Sequence, residues 1–137
     1  MRKIILSLLI ISAATLCLNA CSSTDDENTD TPSGSIVGKW QFDKTGTISD
    51  QQEFLTDYEH ECVSHKDYIE LVQGGLGKEY FYDESCVLDY GEGSWSLTEN
   101  SLEFTGEDGT DAYEVLTLTN STLKLKIENL IFIFIRK

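Results

Sequence analysis

His60, Cys62, His65 and Cys86 carry the side chains in this chain best suited to metal chemistry, because imidazole and thiolate both ligate zinc. Their spacing fits no standard zinc finger, and the two thiols have a competing fate in each other. Gly106-Glu107-Asp108-Gly109-Thr110-Asp111 has the acidity of a calcium loop. It lacks the alternate-position ligands and the closing glutamate that such a loop needs, so a hairpin turn is expected there. No serine sits in a nucleophile elbow and no glycine-rich phosphate loop follows a strand. Two histidines also leave few candidate bases. The expectation is a protein without catalytic residues, resident metal or cofactor, and not an enzyme.

The cysteine at position 21 has different prospects. Met1-Arg2-Lys3 is a short positive start, Ile4 to Leu18 is apolar and uncharged, and Leu18-Asn19-Ala20 puts small or short residues before Cys21. That order describes a signal peptide over residues 1–20. The stretch is shorter than the roughly 20 apolar residues of a spanning helix. Leu18-Asn19-Ala20-Cys21 resembles the bacterial lipoprotein box, in which the cysteine becomes the first mature residue and carries acyl chains. Each buried methylene adds about 0.8 kcal/mol, and a single chain holds only marginally. The three chains of such lipoproteins imply a durable anchor. Cys17 would leave with the leader.

Translocation also decides the fate of the remaining thiols. Cys62 and Cys86 would meet an oxidising compartment, where paired cysteines become disulfides. A bridge closing that loop contributes about 3 kcal/mol by chain entropy.

The whole chain carries a net charge of −14. Cleavage before Cys21 removes Arg2 and Lys3 from the ten basic residues and none of the twenty-four acids, leaving −16. Such a surface repels polyanions, which argues against nucleic acid and anionic head groups as partners. Residues 21–35, with the only proline at Pro32, read as a lipid-anchored acidic tether holding no core residue. Its average span is about 20 Å. Asp25-Asp26-Glu27, just after the anchor, resembles the signal that sends some Gram-negative lipoproteins to the cell surface.

From residue 36 onward the hydrophobic period is two. Ile36, Gly38, Trp40 and Phe42 alternate with Val37, Lys39, Gln41 and Asp43, and Leu123, Leu125 and Ile127 with Lys124, Lys126 and Glu128. This is the pattern of strands with one buried and one wet face. Turn signals between the runs give eight expected strands, at about 36–44, 66–73, 77–83, 92–98, 101–105, 111–118, 122–128 and 130–136. Ser49 with Gln52 offers a capping box, so 49–61 is expected to be a short helix or loop between the first and second strands. Leu130-Ile131-Phe132-Ile133-Phe134-Ile135 is apolar on both faces and would be a hazard at a sheet edge. It is expected to pair on both sides and close the sheet on the first strand. The helical segment or a partner surface would then cover its outer face.

Together, an opening Gly38-Lys39-Trp40, Cys62 before the second strand, Cys86 before Gly93-Ser94-Trp95-Ser96, an Asn100-Ser101-Leu102 hairpin and a closing Arg136-Lys137 resemble the small lipocalin-like lipoproteins of Gram-negative envelopes. The resemblance covers residues 36–137 and implies an all-β, up-and-down antiparallel barrel of about eight strands. It also implies that Trp40 lies under Arg136 at the closed end, as a structural pair. The chain is shorter than a full lipocalin and lacks the large helix after the last strand.

An eight-stranded barrel holds one small ligand or fills with side chains. Trp40, Tyr80, Tyr82, Trp95 and Tyr113 are the candidate pocket residues. The leading expectation is an outer-membrane lipoprotein, exposed at the cell surface, whose barrel takes a small hydrophobic molecule. The alternative is a non-enzymatic interaction or structural accessory of an outer-membrane complex.

Overall fold

Period-two alternation produces nine strands in the structure, a computed structural model that describes residues 34–137. They are β1 (Gly38–Ser49), β2 (Gln52–Asp57), β3 (Tyr68–Val72), β4 (Leu76–Tyr82), β5 (Leu88–Thr98), β6 (Ser101–Gly106), β7 (Gly109–Leu118), β8 (Thr122–Ile127) and β9 (Leu130–Arg136). The leader, Cys21 and nearly all of the tether lie outside the described residues. Gly34 and Ser35, at the tether's end, are already fastened to the domain: Gly34 donates to the Leu118 carbonyl and Ser35 accepts from Arg136.

All pairings are antiparallel. The ring runs β1-β3-β4-β5-β6-β7-β8-β9 and closes by β9 on β1, from Trp40↔Arg136 to Thr47↔Leu130. Eight strands thus form a closed barrel with the double-faced apolar strand paired on both sides. Closure removes the exposed edge that such a strand would otherwise present.

The ninth strand corrects the sequence expectation. Residues 49–61 hold no helix; Gln52–Asp57 pair with β1 as β2, outside the ring. Asp50 and Gln51 both adopt positive φ, 51° and 65°, forming the two-residue turn that suits the twist of a hairpin. Ser49 and Gln52, read as a capping box, instead face each other as the first cross-strand pair. The competing force is backbone pairing. β3 satisfies only Gly38–Gln41 on that side of β1, and β2 takes up Lys44–Ser49.

β2 also answers what covers the second apolar face of β9. Phe132 and Phe134 point inward, so Ile131 points outward, yet it is fully buried. The hairpin curls over it. Glu53 of β2 reaches across β9 to Lys124 of β8, at 2.6 Å. Gly46, the cross-strand neighbour of Ile131, lies against the β2 backbone so closely that a Cβ would run into the Phe54 carbonyl. We expect Gly46→Val to lift β2 and cost about 1–3 kcal/mol through overpacking. Faster amide exchange in 52–57, with the ring amides still protected, is the measurement that checks it.

One end of the barrel is plugged. Trp40 is fully buried and its indole Nε1 donates to the Ile36 carbonyl at 2.7 Å. The guanidinium of Arg136 lies over the ring, 4.0 Å from its centroid. Arg136 also donates to the carbonyls of Asn120 and Val37, at 2.8 and 2.9 Å. Gly38 suits this place, because its φ of 143° is one that side chains rarely adopt and a side chain there would displace the guanidinium. Trp95 seals the same end, donating from Nε1 to the Val72 carbonyl at 3.0 Å.

At the other end, residues 58–67 link β2 to β3 and are held by three devices. Cys62 and Cys86 are joined in a disulfide that ties the segment to the β4–β5 turn. Asp67, almost fully buried, accepts from the Tyr82 amide at 2.8 Å, while its carbonyl receives the Phe42 amide. His60 Nδ1 lies 3.0 Å from the Asp67 amide, which can only donate, and Nε2 lies 3.1 Å from the Phe42 carbonyl, which can only accept. Those partners assign a neutral imidazole with its proton on Nε2.

Candidate functional site

The barrel is not filled. Between the plugged end and the mouth lies a cavity of about 260 Å³. That is just below the usual range of roughly 300–1,000 Å³ for drug-sized ligands, and suits a smaller molecule. Seven of its twelve lining residues are aromatic, four are aliphatic and one is charged. Phe42 organises the deep wall, with Tyr58 stacked on it at 4.6 Å and Phe134 tilted against it at 4.5 Å. Tyr58 comes from the linking segment rather than the ring. Burial, and then the neighbouring Asp67, push its phenol up to about 12, so it lines the cavity as a neutral group.

Strand alternation sets the wall nearer the mouth. On β4 the inward positions are Gly77, Glu79 and Phe81. Phe104 of β6 occupies the space that a side chain at Gly77 or Gly93 would need. Tyr113 of β7 completes the wall, its phenol raised first by burial and then by Asp111. Glu79 is the charged lining residue. Burial and then Asp111 hold its carboxyl above its ordinary 4.5.

Of the residues expected in a pocket, Tyr113 lines the cavity and four do not. Trp40 and Trp95 belong to the sealed end. Tyr80 and Tyr82 lie on the outer face of β4, because parity turns them away from Glu79 and Phe81. Tyr80 stacks on Tyr68 at 4.3 Å and donates to the Glu70 carboxylate, and Tyr82 stacks on His65. Polar hydroxyls find partners more readily in that layer than inside an apolar barrel. The sequence held no deciding signal for the missed residues Glu79, Phe81 and Phe104: one face of β4 carries Lys78 and the other Glu79, so alternation separates the two faces without saying which looks inward.

Three of the four cysteine and histidine residues are drawn together, but changed chemically; His60 is turned instead to the Asp67 amide and the Phe42 carbonyl. Ligand atoms of Cys62, His65 and Cys86 lie within 4.8 Å of one another. The disulfide takes both thiols, so the thiolates that would hold zinc are not available. The acidic segment at 106–111 is a tight hairpin turn, with Gly106 paired to Gly109.

The profile of the lipocalin-like domain matches residues 36–125. No curated protein matches the chain. Among solved structures, a lipocalin-like protein from Bacteroides uniformis superposes with a TM-score of 0.61 at 16% identity, covering 74% of this chain and 98% of that one. An uncharacterized protein from Bacteroides eggerthii gives 0.57 at 16% identity, covering 75% of this chain and all of its own. At that identity the two likenesses speak for the fold. With the closed eight-stranded ring and the profile match over most of its length, this chain belongs to the lipocalin-like domain family.

Proposed function

We propose that the barrel is a non-enzymatic binding module that captures a small hydrophobic molecule. The observation carrying this reading is the cavity of about 260 Å³, lined almost wholly by aromatic and aliphatic side chains and sealed behind by Trp40 and Arg136. A core that needed only stability would fill such a space, because empty apolar volume costs about 24 cal/mol per Å³. Native mass spectrometry of the protein purified from its own envelope is the test. A stoichiometric small molecule supports the reading. Its absence, with no hydrophobic probe raising the melting temperature, overturns it. At a hundred times its Kd a ligand adds about 2.7 kcal/mol of stability.

The rival reading, an accessory of an outer-membrane complex, drew on the apolar outer face of β9. On that face Ile131 is buried and so closed to a partner, whereas Ile135 is exposed.

We propose further that the module is held at the outer membrane, facing outward, by acyl chains on Cys21. The leader, the Leu18-Asn19-Ala20-Cys21 box and Asp25-Asp26-Glu27 support this. Cys21→Ser should abolish labelling by radioactive palmitate and leave an uncleaved precursor. Palmitate labelling that persists in this variant rejects the anchor.

A further inference from the structure

We propose that the ligand is an amphiphilic cation, an apolar body in the cavity with an amine or quaternary ammonium group held at the mouth between Glu79 and the rings of Phe81, Phe104 and Tyr113. This rests on the reading that the cavity binds a small apolar molecule, and adds the charge and orientation of that molecule.

The cavity opens into a wider vestibule of about 730 Å³. Six acids line that vestibule, Glu79, Asp89, Glu92, Glu107, Asp108 and Asp111, and among the described residues no lysine or arginine does. Four residues line both spaces, and so mark the neck between them: Glu79, Phe81, Phe104 and Tyr113. One carboxylate among three aromatic rings is the arrangement that holds ammonium groups, through charge and through the negative ring faces.

Glu79 is placed for a guest rather than for a neighbour. Its carboxylate leans over Gly91, with Oε2 3.5 Å from where a side chain would begin. Among the described residues no ion pair includes Glu79. The lysines of the barrel are engaged on its outer face: Lys124 pairs with Glu53, Lys126 with Glu114, and Lys78 lies 4.0 Å from Glu92. A half-buried carboxylate facing Asp111, with no cation beside it, carries an unmet electrostatic need. The vestibule's other acids raise the local concentration of cations and repel anionic amphiphiles such as fatty acids.

The sign of the pH dependence follows. Glu79 titrates above its ordinary range in the free protein, because its charged form is disfavoured. A bound cation favours the charged form and lowers that value. Cation binding therefore expels a proton at mildly acidic pH, and affinity falls as pH drops through the raised value. The groups facing Glu79 across the neck, Asp89, Asp111 and Tyr113, are acidic or neutral and do not reverse this direction.

Calorimetry of the purified protein with benzyltrimethylammonium, its neutral carbon isostere neopentylbenzene and the anion 4-phenylbutyrate tests the proposal. The cation should bind at least tenfold more tightly than the isostere, and the anion should not bind. Glu79→Gln should bring the cation-to-isostere ratio close to one, and Asp111→Asn, a second variant, should reduce it. Equal binding of cation and isostere to the unaltered protein overturns the proposal and leaves the apolar pocket standing. Tighter binding of the anion does the same. Binding of none of the three overturns both readings.

Discussion

Trp40→Ala should be the most damaging single substitution in the domain, lowering stability by about 3–5 kcal/mol. The side chain is fully buried, so its loss leaves a cavity at the sealed end. It also leaves the Ile36 carbonyl without its donor and strips the support from the Arg136 guanidinium. Arg136 links β9 to the residues before β1 and to the β7–β8 turn, so the seam where the ring closes weakens together with the plug. Against a typical total of about 5–15 kcal/mol, such a loss brings a small domain near its folding threshold. Urea unfolding of the soluble domain measures it. Trp40→Phe keeps most of the volume but not the indole donor, and should fall between. A cost below about 1 kcal/mol for the alanine variant would show that the plug does not hold the seam.

Removal of the Cys62–Cys86 bridge should rank second, at about 3 kcal/mol for a closed loop of this length. The bridge spans 24 positions and holds the 58–67 segment against the β4–β5 turn. Its loss should act unevenly. The neutral His60 and the Asp67 contacts still hold one half of the segment, so exchange should quicken first around 62–66 and 83–87. Tyr58, on the held side, should keep its stack on Phe42. Thiol labelling of the unreduced protein should detect neither cysteine. A paired Cys62→Ser, Cys86→Ser variant with unchanged stability would remove the bridge from any account of how the cavity wall is held.

The ring itself was legible because its causes are local. Alternation of Leu123, Leu125 and Ile127 with charged neighbours states which face is buried, and Gly74-Gly75 and Glu107-Asp108 state where the chain turns. The closing pair was legible from the double-faced Leu130–Ile135 run, which has few stable places outside a closed sheet. The hairpin β1–β2 was not. Its residues carry a weak helical signal, and what overrides it is the unpaired upper half of β1, an absence created only when β3 stops pairing at Gln41.

The candidate site divides in the same way. Alternation separates Phe81 from Tyr80 and Tyr82, but it does not name the inward side. That depends on how β4 sits in the ring, and the structure puts Glu79 inside with Phe81.

The amino-acid sequence alone therefore determined an antiparallel ribbon of alternating faces and its turns, because each depends on residues a few positions apart. Tertiary structure alone decided which face of β4 looks inward, that the barrel keeps an open volume, and that a single carboxylate borders it beneath an acidic mouth. Those depend on closure, which brings β4, β6 and β7 around one axis and sets the sign of every side chain's direction at once.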